Sequence, residues 1–498
     1  MSNGTPGLAR HYLRYSTANL LVMMAGLVSF PLLTRLLDNT QYGILGYYET
    51  WVLMAVAVAK LGAQHSIQRF YPHGGDEERM RSFATNLFYL PMIGSLALWA
   101  FVGAVVIVHG YVTGDGHSAV FWMALVMTPM LVYSSLVETV LRVTEQSRTV
   151  MLTRVAWRWL QLALMLGAVL AVQHTAAAAY GGKLLAVVVG MAFYFGWARR
   201  NLHFARSRMD AAELRQSFAY GMPLVATEIL AVALVSVDRI MLKNLSGDFA
   251  VVGIYSVGAA LAMQVHMFMN LTVFESFTPA ANRVFTTDGA AAVRALKRTM
   301  LMPMTYAAIG VAILLWTLGT DLIIALSGAG KAQAGPVFEL MGAMNAILPV
   351  MLVCGFGLVL ERRTKTVLAL MCLAVAVNAA LNWFWIPAYG VMGAAYATLV
   401  SSAVSSLAAC VMVDRSLRQF PDAKTLTTVV FAAIAALLGE WVTVQLSLRP
   451  GWQRMLVGGM LIGMPYLLVL LALDGRLRAM LYPKLRAVER RIGEGAVG

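Results

Sequence analysis

Arg154, Arg158 and Gln161 stand at i, i+4 and i+7 of one apolar stretch, so a helix sets all three on one face. Arg158 is about eight residues inside that stretch, roughly 12 Å at 1.5 Å per residue. That is too deep for easy snorkelling, and an ionisable group held in an apolar span is a functional candidate. Guanidinium groups grip phosphate-type oxygens through paired, charge-assisted hydrogen bonds, so the chemistry on offer is recognition of an anionic group. Arg35, Lys60, Arg142 and Lys183 belong to the same first part of the chain, whereas the later part contributes Arg239 alone. Ser134, Glu138 and Arg142 make a second polar face, for which a Glu138–Arg142 pair holding helix ends is an equally good reading.

The membrane carboxylates lean the other way, with Glu228, Asp238, Glu275 and Glu339 late in the chain against Glu49 and Glu138 early. Asp238, Asn378, Asn382 (i, i+4 with Asn378) and Thr398 reach a similar depth from the outer surface. One carboxylate with amide, hydroxyl and backbone oxygens suits a hard cation, which makes these four a candidate metal site for a coupling ion, Na+ or H+. The competing reading pairs Asp238 with Arg239 at a helix end and leaves the asparagines to bridge helices.

These residues need a scaffold, and composition supplies its class. Of 498 residues 59% are hydrophobic and only 12% charged, with a mean hydropathy of +0.71, which places the chain in a bilayer. A spanning helix needs roughly 20 apolar residues. Such segments lie near 13–34, 45–61, 84–108, 119–141, 150–172, 177–198, 217–242, 250–274, 300–324, 337–360, 366–385, 390–413, 426–446 and 452–473, about fourteen in all. The first is too long for a cleaved signal peptide and reads SFPLLTR where a small-residue cleavage site is needed, so it is taken as retained.

With both termini placed in the cytoplasm, 30 of the 38 Lys and Arg residues fall on inner loops and tails and 5 on the outer side. A miscounted helix would scramble that alternation. The same bias generates most of the +14 net charge, which therefore argues for no nucleic-acid partner. The tail RLRAMLYPKLRAVERR suits anionic headgroups. Cys354, Cys372 and Cys410 lie in apolar segments without paired or metal-ligand spacing.

An internal repeat organises the helices. Tyr180-Gly181 and Tyr389-Gly390 are 209 residues apart, Gly43 and Gly253 are 210 apart, Pro72 of RFYP and Pro279 of SFTP are 207 apart, and EQSRTV at 145–150 faces ERRTKTV from 361. Ordered matches at nearly one offset indicate duplication. Six helices is an even number, so the copies run parallel, and two such bundles facing each other enclose a cavity. The expected organisation is an N-lobe over 1–198, a basic cytoplasmic linker over 199–216, a C-lobe over 217–413, two more helices over 414–473 and a basic cytoplasmic tail over 474–498. The fold class is all-α and polytopic, with two six-helix lobes plus two C-terminal helices.

NWFWIPAYGVMGAAYAT, QYGILGYYETW, HSIQRFYP and VDRIMLKNLSGDFAVVGIYSVG together resemble signatures of the polysaccharide flippases in the multidrug, oligosaccharidyl-lipid and polysaccharide exporter superfamily. The resemblance covers helices 1 to 12; helices 13 and 14 match by position only. It implies a V-shaped pair of lobes in a bacterial cytoplasmic (inner) membrane that flip undecaprenyl-pyrophosphate-linked oligosaccharide outward by alternating access, for exopolysaccharide or O-antigen-type biosynthesis. It also implies a monomer among membrane lipids that works with a polysaccharide polymerase. Asp238, Asn378, Asn382 and Thr398 resemble the sodium site of the related lipid II flippases, with Asn382 where an aspartate is usual, which lowers the site's charge.

Two other classes compete. A cation-coupled drug antiporter of the same superfamily usually has twelve helices and lacks this gathering of basic residues. A membrane enzyme of polysaccharide assembly needs a large outer loop or acidic motifs, whereas no outer connection here exceeds about 16 residues. No GxxxxGK[ST] loop is present either. The expectation is a transporter, without catalytic residues and without a cofactor beyond the coupling cation.

Overall fold

The computed structural model describes residues 5–74, 76–113 and 117–480, with 5–16, 18 and 270–276 described by backbone alone. The tail beyond Met480 and the side chains of Arg10, Arg14 and Glu275 lie outside the described residues. The described chain is helical, with no strand in it. Its first half runs α1 (Thr5–Leu36), α2 (Asn39–Ala59), α3 (Ala63–Phe70), α4 (Glu77–Phe83), a π-helical turn (Ala84–Tyr89), α5 (Leu90–Thr113), α6 (Ala119–Val143), α7 (Ser147–Ala171) and α8 (Ala176–Asn201). Then follow α9 (Ala211–Ser246), α10 (Phe249–Ser327), α11 (Gly335–Gly355), α12 (Thr364–Tyr389), α13 (Val391–Met412), α14 (Ala423–Gln445) and α15 (Trp452–Leu473). Fourteen segments are long and apolar enough to cross a membrane, in agreement with the sequence.

Helix starts are built as physical chemistry expects. Asp38, Asp76, Ser118, Thr175, Asp210 and Asp422 each accept from a backbone N–H of the first turn and satisfy an otherwise orphaned donor. Two features depart from a simple helix-and-loop expectation. The connection between the eighth and ninth spans is itself helical, so α10 runs through it and is broken at Gly289, whose φ of 78° only glycine adopts easily. The third span opens with the π-helical turn, which places Thr85 and Asn86 to grip the basic linker. Asn86 donates to the Arg208 carbonyl at 2.9 Å and accepts from the Asp210 amide at 3.0 Å, and Thr85 accepts from the Ala205 amide at 3.0 Å. A π-helical turn re-aims side chains in this way at many functional sites.

The chain forms two compact units, one of Met1–Ser256 with Val375–Ala394, the other of Val257–Ala374 with Ala395–Gly498. In the first unit α2 packs against α6, α8 and α9, with the core around Val52, Met127, Tyr180 and Val187. Small residues allow the close contacts, because apolar side chains gain little by leaving lipid for one another. A Cβ on Gly182 would meet the Met165 Cα at 2.8 Å, and Gly390, at φ 56°, turns the chain from α12 into α13. In the second unit α14 and α15 pair tightly, and Tyr306 and Tyr466 anchor them to α10. There Lys297 is fully buried and donates to the Cys354 carbonyl at 3.2 Å and the Leu417 carbonyl at 2.8 Å, so it ties the end of α11 to the turn after α13.

Candidate functional site

Two polar clusters in the first unit gather most of the candidates. The first joins α2, α7 and α8. Lys183, nearly buried on α8, donates to Glu49 Oε2 on α2, and the Tyr180 hydroxyl approaches the same oxygen at 3.4 Å. The Lys183 ammonium also lies 5.6 Å from the Tyr180 ring centroid, a cation–π distance. Arg158 on α7 is half-buried, donates to Gln161 Oε1 at 3.5 Å, and acts electrostatically on Glu49. The group thus carries two cations against one carboxylate. Its excess positive charge is held on helices rather than on loops.

Arg154 points elsewhere, although it shares a face with Arg158. Its Nε lies 3.2 Å from Glu138 Oε1, which Arg142 also engages, and its Nη1 reaches Asn19 Oδ1 at 3.5 Å. Arg142 is therefore in the Glu138 pair that the sequence offered as an alternative, now extended to α7 and α1. Lys60 is nearly buried at the end of α2, where its ammonium is 2.5 Å from Glu228 Oε1. Arg35 is exposed near the end of α1. The seven sequence candidates for anion binding thus fall into separate groups, of which Arg158, Gln161 and Lys183 form one around Glu49.

The second cluster is the candidate cation site. Asp238 on α9 is buried; its Oδ2 accepts from the Tyr255 hydroxyl at 2.5 Å and its Oδ1 from the Asn382 amide at 2.8 Å. The same Asn382 amide donates to Asn378 Oδ1 at 3.0 Å, and both asparagines are completely buried. Arg239 turns away to donate to Ser256 Oγ at 3.2 Å. Three of the four sequence-chosen residues meet; Thr398 is buried in the other compact unit. Tyr255 was not anticipated, and its spacing of 17 residues from Asp238, across the turn between α9 and α10, offered no periodic signal. Asn382 Oδ1 is buried without a hydrogen-bond partner. Turning that amide over would add a third oxygen to those of Asp238 and Asn378, so the donor set fits a hard cation. Among the described residues no group of three or more His, Cys, Asp or Glu side chains forms a transition-metal site.

Comparison with known proteins agrees with the fold. The structure is similar to that of the lipid II flippase MurJ in an inward closed conformation, at a TM-score of 0.68 and 12% identity over 95% of this chain and 99% of that one. It is similar at a TM-score of 0.56 and 13% identity to a MOP superfamily transporter from Pyrococcus furiosus, over 80% of this chain and 94% of that one. An inward-facing multidrug resistance MATE family transporter also matches, with a TM-score of 0.56 and 13% identity over 80% of this chain and 96% of that one. At such identities the likeness is one of fold. No curated protein sequence matches the chain. The family model described as "Polysaccharide biosynthesis protein" matches residues 8–285, more than half of the 498, and the chain belongs to that family.

Proposed function

We propose that this protein is a flippase that moves undecaprenyl-pyrophosphate-linked oligosaccharide units outward across a bacterial cytoplasmic membrane, by alternating access, for exopolysaccharide or O-antigen-type polysaccharide. The observation that carries the reading is the excess of positive charge held on helices by buried Lys183 and half-buried Arg158, in a chain of the polysaccharide biosynthesis family. A pyrophosphate supplies the paired oxygens that such cations bind. Arg158 and Gln161 would take the headgroup, with Lys183 shared between it and Glu49. The termini face the cytoplasm on the positive-inside pattern, and a polysaccharide polymerase would take up the product.

A cation held by Asp238, Asn378 and Asn382 would couple the cycle to an ion gradient. It does so only if it binds one conformation better than the other.

The test is a clean deletion in a strain with no second flippase. Surface or secreted polysaccharide should vanish while the lipid-linked unit accumulates on the cytoplasmic face. Normal export would overturn the proposal, and a changed drug susceptibility with normal export would point to the antiporter reading.

A further inference from the structure

Lys60 and Glu228 belong to a four-residue cluster whose hydrogen bonds fix the protonation state of a histidine. Glu228 Oε1 lies 2.5 Å from Lys60 Nζ, and Glu228 Oε2 accepts from the Gln64 amide. Lys60 Nζ also donates to Gln64 Oε1 at 2.8 Å. A lysine only donates and a carboxylate only accepts, so the Gln64 amide has one allowed orientation, oxygen toward Lys60 and NH2 toward Glu228. That same NH2 nitrogen is 3.2 Å from His65 Nε2. His65 Nε2 must therefore be an acceptor without a proton, and the neutral ring carries its hydrogen on Nδ1.

A proton arriving at Nε2 turns this contact into donor against donor. The imidazolium has a better partner within reach, since Nε2 is 3.9 Å from Glu228 Oε2. To reach that oxygen the ring must move toward it and crowd the Gln64 amide that already donates there.

The cluster sits on a seam that has no slack. Ser66 Oγ on α3 donates to the Ser217 carbonyl on α9 at 2.7 Å. A Cβ on Gly221 would lie 2.6 Å from the carbonyl oxygen of Gly62, a residue at φ 73°. From Ser217 through Gly221 to Glu228, one face of α9 is thus registered against α3 and the end of α2.

We propose that His65, with Gln64 and Glu228, is a proton-binding site on the α3–α9 seam, where a proton taken from water at Nε2 sets the imidazolium against the Gln64 amide, breaks up the hydrogen-bonded set that holds Gln64 to Glu228 and Lys60, and loosens a seam that has no room to absorb the shift. The charged groups acting on His65 are Glu228 of α9 and Lys60 of α2. On the other side α3 packs through Ala63 and Ile67 into an apolar cluster with Phe88 of the π-helical turn and Leu136 and Val137 of α6. The His65 side chain is 27% exposed, which gives water access to the ring. Burial holds its pKa below the ordinary histidine value, Glu228 opposes this and Lys60 adds to it, so the neutral, latched form prevails at neutral pH and is lost as the pH falls. The site is distinct from the Asp238 cluster.

Spin labels at Gln68 and Ala219, exposed positions on α3 and α9, would read the seam in lipid nanodiscs after replacement of the three native cysteines. One narrow distance is expected at about pH 8, with a longer population that becomes dominant by about pH 5. His65→Gln should keep the narrow distance throughout. A wild-type distribution unchanged to pH 5, or an equal change in His65→Gln, would overturn the proposal. Nitrogen NMR of ring-labelled histidine in the unmutated chain provides a second reading. An Nδ1–H tautomer for His65 at pH 8 is expected, and an Nε2–H tautomer would refute the site.

Discussion

Gly43 and Gly253 meet backbone to backbone, and they do so reciprocally. A Cβ on Gly43 would run into the carbonyl of Phe249, and one on Gly253 into the carbonyl of Asn39. Positions 43 and 253 differ by 210, and so do 39 and 249. A contact in which i touches j′ and j touches i′ is the signature of a twofold relation, here between two stretches of one chain. The sequence repeat paired these glycines by offset; the structure shows them packed on one another.

Neither glycine can therefore gain a methyl group without moving a helix. Gly43→Ala and Gly253→Ala should each destabilise by about 1–3 kcal/mol, the usual cost of overpacking. Gly167→Ala on α7 is the control, because its Cβ meets nothing within 4 Å, and it should stay within about 1 kcal/mol of the parent. Thermal unfolding of the three variants in one detergent checks this. Equal midpoints for all three would dissolve the contact.

The Asp238 cluster predicts opposite outcomes for two charge changes. Asp238→Asn removes the carboxylate that accepts from Tyr255 and Asn382, and transport should lose its dependence on an imposed ion gradient. Asn382→Asp sets a second carboxylate against the first. Without a cation the two repel, so the variant should unfold at a lower temperature in a cation-free buffer and recover on adding the coupling ion. Vesicle transport under sodium or proton gradients and thermal scans with and without sodium check both. Wild-type gradient dependence in Asp238→Asn would leave the residue as a structural partner of Tyr255.

Arg158 and Lys183 differ in what holds them. Lys183 is nearly buried against Glu49, and removing one partner of such a pair costs roughly 3–5 kcal/mol when both are fully buried. Glu49 is 41% exposed, so Lys183→Met should destabilise by only about 1–2 kcal/mol. Among the described residues Arg158 has the long contact to Gln161 and the field of Glu49. Arg158→Ala should leave folding intact and weaken flipping, with partial rescue by Lys, which lacks the planar fork. Expression, melting temperature and transport measured together separate the two, and full transport by Arg158→Ala would make it a packing residue.

Fourteen apolar segments and the loop charges made the spans legible, because period, length and positive-inside bias are local signals. The same counting set Asp238, Asn378 and Asn382 at one level, and the three do meet. What escaped was pairing at long range. Glu49 could be seen as a membrane carboxylate but not as the partner of Lys183, 134 residues away. Gln64 and His65, between two spans, carried no sign of Glu228, 164 residues from Gln64. The π-helical turn at Ala84–Tyr89 is set by tertiary contacts to the linker and has no sequence period of its own.

The last prediction concerns pH at the end of α15. Arg476 Nη1 is 2.5 Å from Asp422 Oδ2 at the start of α14, and Arg476 Nη2 is 2.8 Å from Asp474 Oδ2. Asp474 is fully buried and accepts from the Tyr306 hydroxyl at 2.7 Å, so one guanidinium joins α14, α15 and α10. Hydrogen bonds from Arg476 hold the Asp422 pKa down at about 2 and lower that of Asp474 as well. A depressed carboxylate pKa stabilises the fold fully above the unfolded value, near 4, and this stabilisation is lost as the pH drops toward the folded value. Arg476→Ala should therefore lower stability at pH 7 by roughly 2 kcal/mol, less than for a fully buried pair because Arg476 is 40% exposed. The gap to the parent should narrow between about pH 4 and pH 2. Thermal midpoints across that range check the sign, and a gap that stayed constant with pH would mean that Arg476 acts through packing rather than through its charge.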